Sequence, residues 1–549
     1  MKYLVLIKDL ANSFWIDIKN DWSVPLIFVV PIFLLLFYFN YNFLEIGFLQ
    51  LHSVDEYFFH GSLLNIYDGL RGMKPSLLFR TGFYSYGFLY FFINFIFAAP
   101  FLYFKKIAIS IFIPKMVTSL FALISLIYVY KFARFYLNQL ISLTLVTIII
   151  LMPGFWSNAT WFHPDWMMTS FLLVAIYFLA KDHFLYSKYY WLAIILFGLA
   201  ASVKFQAVTF LPILFLYCFN DLFISFNFLD LSKKGFVFIK SLIVVFFIFI
   251  ISNPYLLHPI GYRVFIKSLN DNLISNATNH GVVGTVSISD KIFLVIGRDF
   301  ISPFIFIPIL IIAFCLSLFY FRRKDIFSTI AINFIINLAY LLFFVNKGWG
   351  WYYLPVIICG VLLFISIISR FNFKIQVATA VVFLVVHFIF NFNNWQGIFG
   401  AQFEKNNFEK NFKISNFVVE SLKGKINVNE DNFLISAFTG FEFDKLGVGY
   451  NHIHLINGPF SEAMIDEEYY KKTVLTGYGD DLSIYRPFVK NRFIILKKEA
   501  IYLSRQDMDR MLNRNDYQHA IDLVEQMRTG KFGCRIFNEN ELVIIFSCV

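Results

Sequence analysis

The sequence predicts a polytopic α-helical membrane protein with a soluble α/β domain at its C-terminal end, and three observations carry that prediction. Charged residues make up 15% of the 549 positions, where a soluble domain carries about 25%, while 58% are hydrophobic, with 74 Phe in the chain and a mean hydropathy of +0.66. Uncharged runs recur at the length of about 20 helical residues that roughly 30 Å of hydrocarbon demands. After about Asn393 the composition changes, and Glu, Lys, Asp and Asn appear throughout. A soluble enzyme, a disordered chain and a disulfide scaffold are thereby excluded. The formal net charge of +10 does not indicate a nucleic-acid partner, because the basic residues sit in short clusters between apolar runs and report membrane topology.

Met1 to Trp22 contains Lys2, Lys8, Lys19 and Asp9, Asp17 and Asp21, so no cleavable signal peptide is expected and the first apolar run serves as an anchor. Marking where charge stops places spans near 24–44, 111–130, 137–156, 166–180, 189–203, 205–220, 241–257, 300–321, 326–345, 351–369 and 375–392, about eleven in all. Phe83 to Phe104 is a further apolar run. The clusters Lys131/Arg134, Lys181/Lys188, Lys233/Lys234/Lys240, Arg322/Arg323/Lys324 and Arg370/Lys374 share one side only if that run does not cross, or crosses and returns. It is therefore read as a re-entrant or interfacial outer helix.

With the N-terminus inside, the outer loops are Glu45 to about Ser110, Ser157 to Asp165, a tight turn at Lys204, Leu257 to Asp299 and Asn346 to Gly350. The chain thus divides into a transmembrane module, 1–395, and an extracytoplasmic α/β domain, 396–549. FLISAF, RFIILKK and LVIIF alternate as strands do, and RQDMDRMLNRNDYQHAIDLVEQMR reads as a helix. Cys218, Cys315 and Cys359 lie in apolar runs and read as packing residues. Cys534 and Cys548 bracket GCRIFNENELVIIFSC, a hairpin turning near Asn538 to Asn540, and form a disulfide if that part meets an oxidising compartment.

Acids at one membrane face stand out because acids are scarce. Asp55 and Glu56 follow the first span by about ten residues; a partly desolvated carboxylate there can take a proton from a hydroxyl or amine, or one of the pair can cap a helix. In WSNATWFHPDWMMTS, Asp165 follows His163 and Pro164 at the start of a span, which suits a helix cap and equally aims a carboxylate into an outer cavity. No spacing forms a metal signature, although Asp55 and Asp165 on separate loops could hold a divalent cation. Lys204 is the lone charge in WLAIILFGLAASVKFQAVTFLPILF; a lysine there is functional by default, or snorkels to the interface. Lys115, Arg298, Lys347, His258 and Arg80 complete a set of basic groups suited to a phosphate or pyrophosphate, or to interface anchoring. Trp156, Trp161, Trp166, Trp349, Trp351, Tyr352 and Tyr353 could stack on sugar rings or form an aromatic belt. Asn158-Ala-Thr160 and Asn276-Ala-Thr278 match the glycosylation pattern, as chance alone would allow.

In order along residues 20–370, the first span, the loop with Asp55-Glu56, RTGFYSYGFLYFFINF, the HPD loop, FGLAASVKFQAVTFLP, NPYLLHP and WYYLP resemble the GT-C superfamily of integral-membrane glycosyltransferases. The branch is the one holding the protein O-mannosyltransferases, the lipid A aminoarabinose transferases and many bacterial relatives. The resemblance implies an enzyme of the bacterial inner membrane that moves a sugar, with inversion, from a polyprenyl-phosphate carrier to a lipid, glycan or protein acceptor on the periplasmic side. It implies Asp55 as base or acceptor-positioning group with Glu56 beside it, Asp165 as the second-loop acid, and Lys204 and Lys115 on the donor phosphate. Some members have Arg where this chain has His163, and Arg298 and Lys347 have no secure counterpart. The expectation is that Asp55, Asp165 and Lys204 line one cavity. Rival readings are a transporter or flippase, or a polymerase or ligase, of lipid-linked saccharides; the first usually shows inverted repeats and ionisable groups deep in the spans, and no repeat is visible here.

Overall fold

The structure, a computed structural model, describes residues 23–51, 53–81, 84–220, 228–278, 286–318, 324–403, 409–436, 441–448, 452–456, 460–472, 488–502 and 514–548. The anchor-preceding segment Met1 to Trp22, the pair Arg322/Arg323 and the part of the predicted helix from Arg505 to Asn513 lie outside these residues. The described chain is mostly helical with several apolar helices. Four are long and apolar enough to cross a membrane, or up to seven if each bent pair counts as one span. The helices Lys188–Val203 and Leu354–Ile368 fall where spans are expected but are shorter than 18 residues. Chain contacts divide the molecule into two compact units.

The first unit comprises 1–39, 116–253 and 286–400. Where the sequence suggests a single span over 137–156, the helix Gln139–Ile150 bends by 69° into Pro153–Ala159. Pro153 has no N–H to continue the ladder, so carbonyls of the preceding turn need other donors. Three side chains supply them. Trp156 Nε1 donates to Ile150 O at 2.8 Å, Trp395 Nε1 to Leu151 O at 2.8 Å, and His387 Nε2 to Ile148 O at 2.9 Å. His387, Asn391 and Trp395 recur every four residues along the helix Phe373–Phe403, one stripe of its surface. The expected span 241–257 is instead a longer helix, Phe228–Ser252, which carries Lys233, Lys234 and Lys240 within it. Gly198 lets the helix Lys188–Val203 lie close against it, since a Cβ there would stand 2.9 Å from Ile248. Lys291, buried, donates to Leu342 O at 2.7 Å and so caps the helix Ile326–Phe343.

The second unit comprises 40–115, 254–285 and 401–549. Its sheet runs β2-β1-β3-β5-β4, with β1 Phe433–Ser436, β2 Ile453–Ile456, β3 Phe493–Lys497, β4 Cys534–Glu539 and β5 Val543–Cys548. β1 pairs in parallel with β2 and β3, while β5 is antiparallel to β3 and β4. Side chains alternate between two faces, as the twofold strand period requires. Phe433, Ile435, Phe493, Ile495, Val543 and Ile545 pack with Phe48, Leu51, Tyr57 and Ile111. Leu434, Ile494, Leu496, Ile544 and Phe546 pack on the opposite face with Ala520, Leu523, Val524 and Met527, which lie on the helix Arg514–Arg528. The sheet thus braces the segment that carries Asp55 and Glu56. Cys534 and Cys548 face each other in the β4–β5 register and are disulfide-bonded. The apolar run from Phe83 forms the helix Phe88–Tyr103, whose Phe88, Tyr90, Phe91, Asn94 and Phe95 are buried while Ile96 and Phe97 are exposed.

Candidate active site

In the first unit the helix Asp165–Asp182 starts directly after Pro164, with Asp165 in its first turn. The Lys188–Val203 helix ends where Lys204 turns extended, at φ −149° and ψ 124°, and the chain continues as the 3₁₀ helix Phe205–Phe210 and the short helix Pro212–Cys218. The turn at Lys204 is therefore an extended residue between a helix and a 3₁₀ helix, and it places the ammonium inside the protein. Lys204 is 3% exposed and Asp165 1%; Lys204 Nζ donates to Asp165 Oδ1 at 2.7 Å, and Asp165 Oδ2 contacts His163 Nδ1. Both carboxylate oxygens are thus engaged within the unit. Among the described residues no group of three His, Cys, Asp or Glu is placed to hold a metal.

Tyr352 sits beside this pair. Lys204 Nζ lies 5.0 Å from its ring centroid and Lys347 Nζ 5.9 Å, with Lys347 also 4.7 Å from the Trp349 ring. Lys347 is buried as well. Ring faces hold cations through their quadrupole, an attraction that grows once water is excluded. Trp161 stacks on His163 at 4.1 Å and meets Trp351 edge-on at 4.8 Å. Gln206 Nε2 donates to Tyr352 O at 3.1 Å, and Asn337 Nδ2 donates to Thr209 O at 3.0 Å; these bonds tie the 3₁₀ helix after Lys204 to the Tyr352 loop and to the helix Ile326–Phe343. The 346–352 loop also closes over Asp299: a Cβ at Gly350 would stand 2.4 Å from Asp299 Oδ2. Arg298, largely exposed, is bound to Asp299 at 2.6 Å through Nε.

The second unit holds the other predicted residues. Ser53 caps the helix Val54–Arg71 by accepting from Glu56 N at 3.3 Å. Glu56 is fully buried and its Oε1 stands 3.4 Å from Lys115 Nζ, which also donates to Gln50 O. Asp55, one position earlier in the same turn, is half-buried. Arg80 accepts through its carbonyl from Asn65 Nδ2 at 3.0 Å. His258 is exposed, its Nδ1 accepting from Ile260 N at 3.3 Å. The structure therefore brings together His163, Asp165, Lys204, Lys347 and Tyr352 in one unit, and Glu56 and Lys115 in the other.

Gln206, Asn337, Asp299 and Gln50 were not singled out from sequence. Each is a polar residue in or beside an apolar run, a signal as legible as that of Lys204 but without formal charge in three of the four. Trp166 is fully buried and Trp156 nearly so, so neither belongs to an interfacial belt. Asn158, buried, donates to Gly154 O at 2.7 Å, and Asn276 is buried too, which leaves neither sequon open to modification.

A model of the family described as dolichyl-phosphate-mannose-protein mannosyltransferase matches residues 90–258. No curated protein is a significant match. Among solved structures, ArnT from Cupriavidus metallidurans bound to undecaprenyl phosphate is similar over 95% of this chain and 98% of its own, with a TM-score of 0.57 at 11% identity. Its apo form scores 0.55 at 10% identity, over 98% of each chain. The Archaeoglobus fulgidus oligosaccharyltransferase in its apo form scores 0.51 at 9% identity, over 86% of this chain and 70% of its own. The chain therefore shares its fold with ArnT and with this oligosaccharyltransferase, in keeping with the resemblance read from the sequence.

Proposed function

We propose that the protein is a glycosyltransferase that moves a sugar from a polyprenyl-phosphate carrier to an acceptor on the extracytoplasmic side of the membrane. The observation that carries this reading is the pair of buried ammonium groups, Lys204 and Lys347, at one tyrosine ring on a GT-C fold. Ionisable side chains buried in a membrane protein are functional by default, and two cations in a water-poor setting suit a phosphate. ArnT, with the same fold, has been crystallised with undecaprenyl phosphate. The disulfide in the C-terminal sheet supports an oxidising, extracytoplasmic location for that part. The reading includes about eleven spans, the helix Phe88–Tyr103 as a re-entrant or interfacial element, and 396–549 as a soluble domain.

In this mechanism the acceptor hydroxyl or amine attacks the anomeric carbon and Asp55 takes its proton. The bond from that carbon to the phosphate oxygen breaks, and its electron pair leaves with the polyprenyl phosphate, whose growing charge Lys204 and Lys347 stabilise. Displacement from the opposite face inverts the sugar. Asp165, flanked by His163, orients Lys204. Glu56 is already paired with Lys115, which favours the half-buried Asp55 as the base; Lys115 holds that turn, and Arg80, His258 and Arg298 take no assigned step.

Purified protein should transfer a radiolabelled sugar from a polyprenyl monophosphate and not from a pyrophosphate-linked glycan. Asp55→Asn or Lys204→Ala should lower turnover per folded molecule by about two orders of magnitude or more, the scale for loss of a general base or a transition-state charge contact. Near-normal turnover in both variants would remove these roles.

A further inference from the structure

The loop that carries Lys347 and Tyr352 is gripped by another segment of the same unit. Ile288–Asp290, Lys291–Ile296 and Gly297–Asp299 form one run of helix, opened by Ser287, whose Oγ accepts from Asp290 N at 3.0 Å. The middle of the run, Lys291–Ile296, is wound as a π-helix. Such turns are rare and concentrate at functional sites.

Three side chains spaced four residues apart, Lys291, Val295 and Asp299, meet the chain between Leu341 and Gly350. Lys291 Nζ donates to Leu342 O at 2.7 Å and to Leu341 O at 3.4 Å. Val295 Cγ2 lies 3.6 Å from where a Cβ of Gly348 would stand, and Asp299 Oδ2 leaves no room for a Cβ at Gly350. Phe293 and Leu294, between them in sequence, are exposed. One face of the run therefore follows the loop along its length.

Lys291 acts where the loop begins. Leu341 and Leu342 belong to the last turn of the helix Ile326–Phe343, where carbonyls have no partner within the helix, and Lys347 follows five residues after Leu342. At the far end of the loop Tyr353 Oη donates weakly to the same Leu341 O, at 3.5 Å. Both ends of the loop are thus tied to one turn. Lys291 is 1% exposed and Tyr353 fully buried. A glycine cap or an amide would satisfy such carbonyls at less cost than a buried ammonium; what the charge adds is a stronger bond. Held in this way, Lys347 keeps its Nζ 4.7 Å from the Trp349 ring and 5.9 Å from that of Tyr352, the ring it shares with Lys204.

We propose that Lys291 is a positioning residue for the donor phosphate: it fixes the end of the helix Ile326–Phe343, and through it the reach of Lys347, without touching substrate itself. This rests on the phosphate role given to Lys347 above. Misplacing a substrate-holding group by about 1 Å costs about a hundredfold, so whatever secures the loop governs how well its ammonium serves.

The test is a double-variant cycle read as affinity for undecaprenyl phosphate, measured by native mass spectrometry on the purified full chain in detergent, each variant well below its own Tm. K347M should weaken binding by about tenfold or more, the scale of a lost hydrogen bond to a charged group. K291M, which loses the charge and keeps most of the bulk, should weaken it by about tenfold in the natural chain and by less than about threefold in K347M, where no ammonium is left to place. V295A, a milder change that slackens the same face at Gly348, should give a smaller loss with the same dependence on Lys347, and it carries the test if K291M does not fold. Losses that add would show that Lys291 acts through its own charge or by loosening the whole fold, and would overturn the proposal. Unchanged binding in K291M beside a weakened K347M would overturn it too, leaving the role of Lys347 intact. Unchanged binding in K347M would remove that role and the proposal with it.

Discussion

Lys204 Nζ lies 2.7 Å from Asp165 Oδ1, a contact across 39 residues in which both partners are almost wholly removed from solvent. Each charge is tolerable only because of the other. Removing one partner from such a pair costs about 3–5 kcal/mol, whereas replacing both with apolar groups is often neutral. Lys204→Met and Asp165→Leu should each lower Tm in detergent, and the variant carrying both should fall less than the two losses added. Additive losses would show that the pair is not coupled.

The loop bearing Lys347 and Tyr352 passes over Asp299 with no room for a methyl group at Gly350. Overpacking of this kind costs about 1–3 kcal/mol. Gly350→Ala should therefore destabilise the protein, and Asp299→Ala in the same chain should recover much of the loss, as thermal unfolding of the single and double variants would show.

His60 is fully buried, with Nε2 2.9 Å from Ser110 Oγ, and burial lowers its pKa to about 3. His454, on β2, is pushed down to about 4, by burial first and then by Arg80 and His452. In the unfolded chain both titrate near 6.5, so below that pH the unfolded state binds more protons than the folded one and gains on it. Stability should be complete above about pH 6.5 and fall as pH drops toward 3 to 4. His60→Gln should flatten part of that slope in unfolding curves taken across the window.

Cys534 and Cys548 close a short loop, with a sequence separation of 14. In the chain-entropy account a loop of about 15 residues is worth about 3 kcal/mol. Cys534→Ser with Cys548→Ser should lower Tm by a matching amount. Alkylation without reductant, followed by mass spectrometry, should modify at most Cys218, Cys315 and Cys359.

The apolar helices were legible because burial in lipid demands uncharged runs of fixed length, and β1, β3 and β5 because twofold alternation marks a sheet with two covered faces. β2, IHLI, was missed, since four residues with a histidine carry little of that pattern. The break at Pro153 is written in the residue itself, but the donors that satisfy its carbonyls, His387 and Trp395, come from more than two hundred residues away. Arg298 and Lys204 look alike as isolated cations; one is exposed beside its own neighbour Asp299, and the other is buried on Asp165.

The sequence by itself determined that this is a membrane-embedded helical chain, and it marked Asp165 and Lys204 as conspicuous, because a charge in an apolar run stands out whatever surrounds it. Only the tertiary structure decided that Lys204 and Lys347 share the Tyr352 ring, that Glu56 rather than Asp55 pairs with Lys115, and that the C-terminal sheet braces the segment bearing both acids. Composition reports the cost of taking a residue out of water. It does not say which distant partner repays that cost, since partners are chosen by packing across the fold.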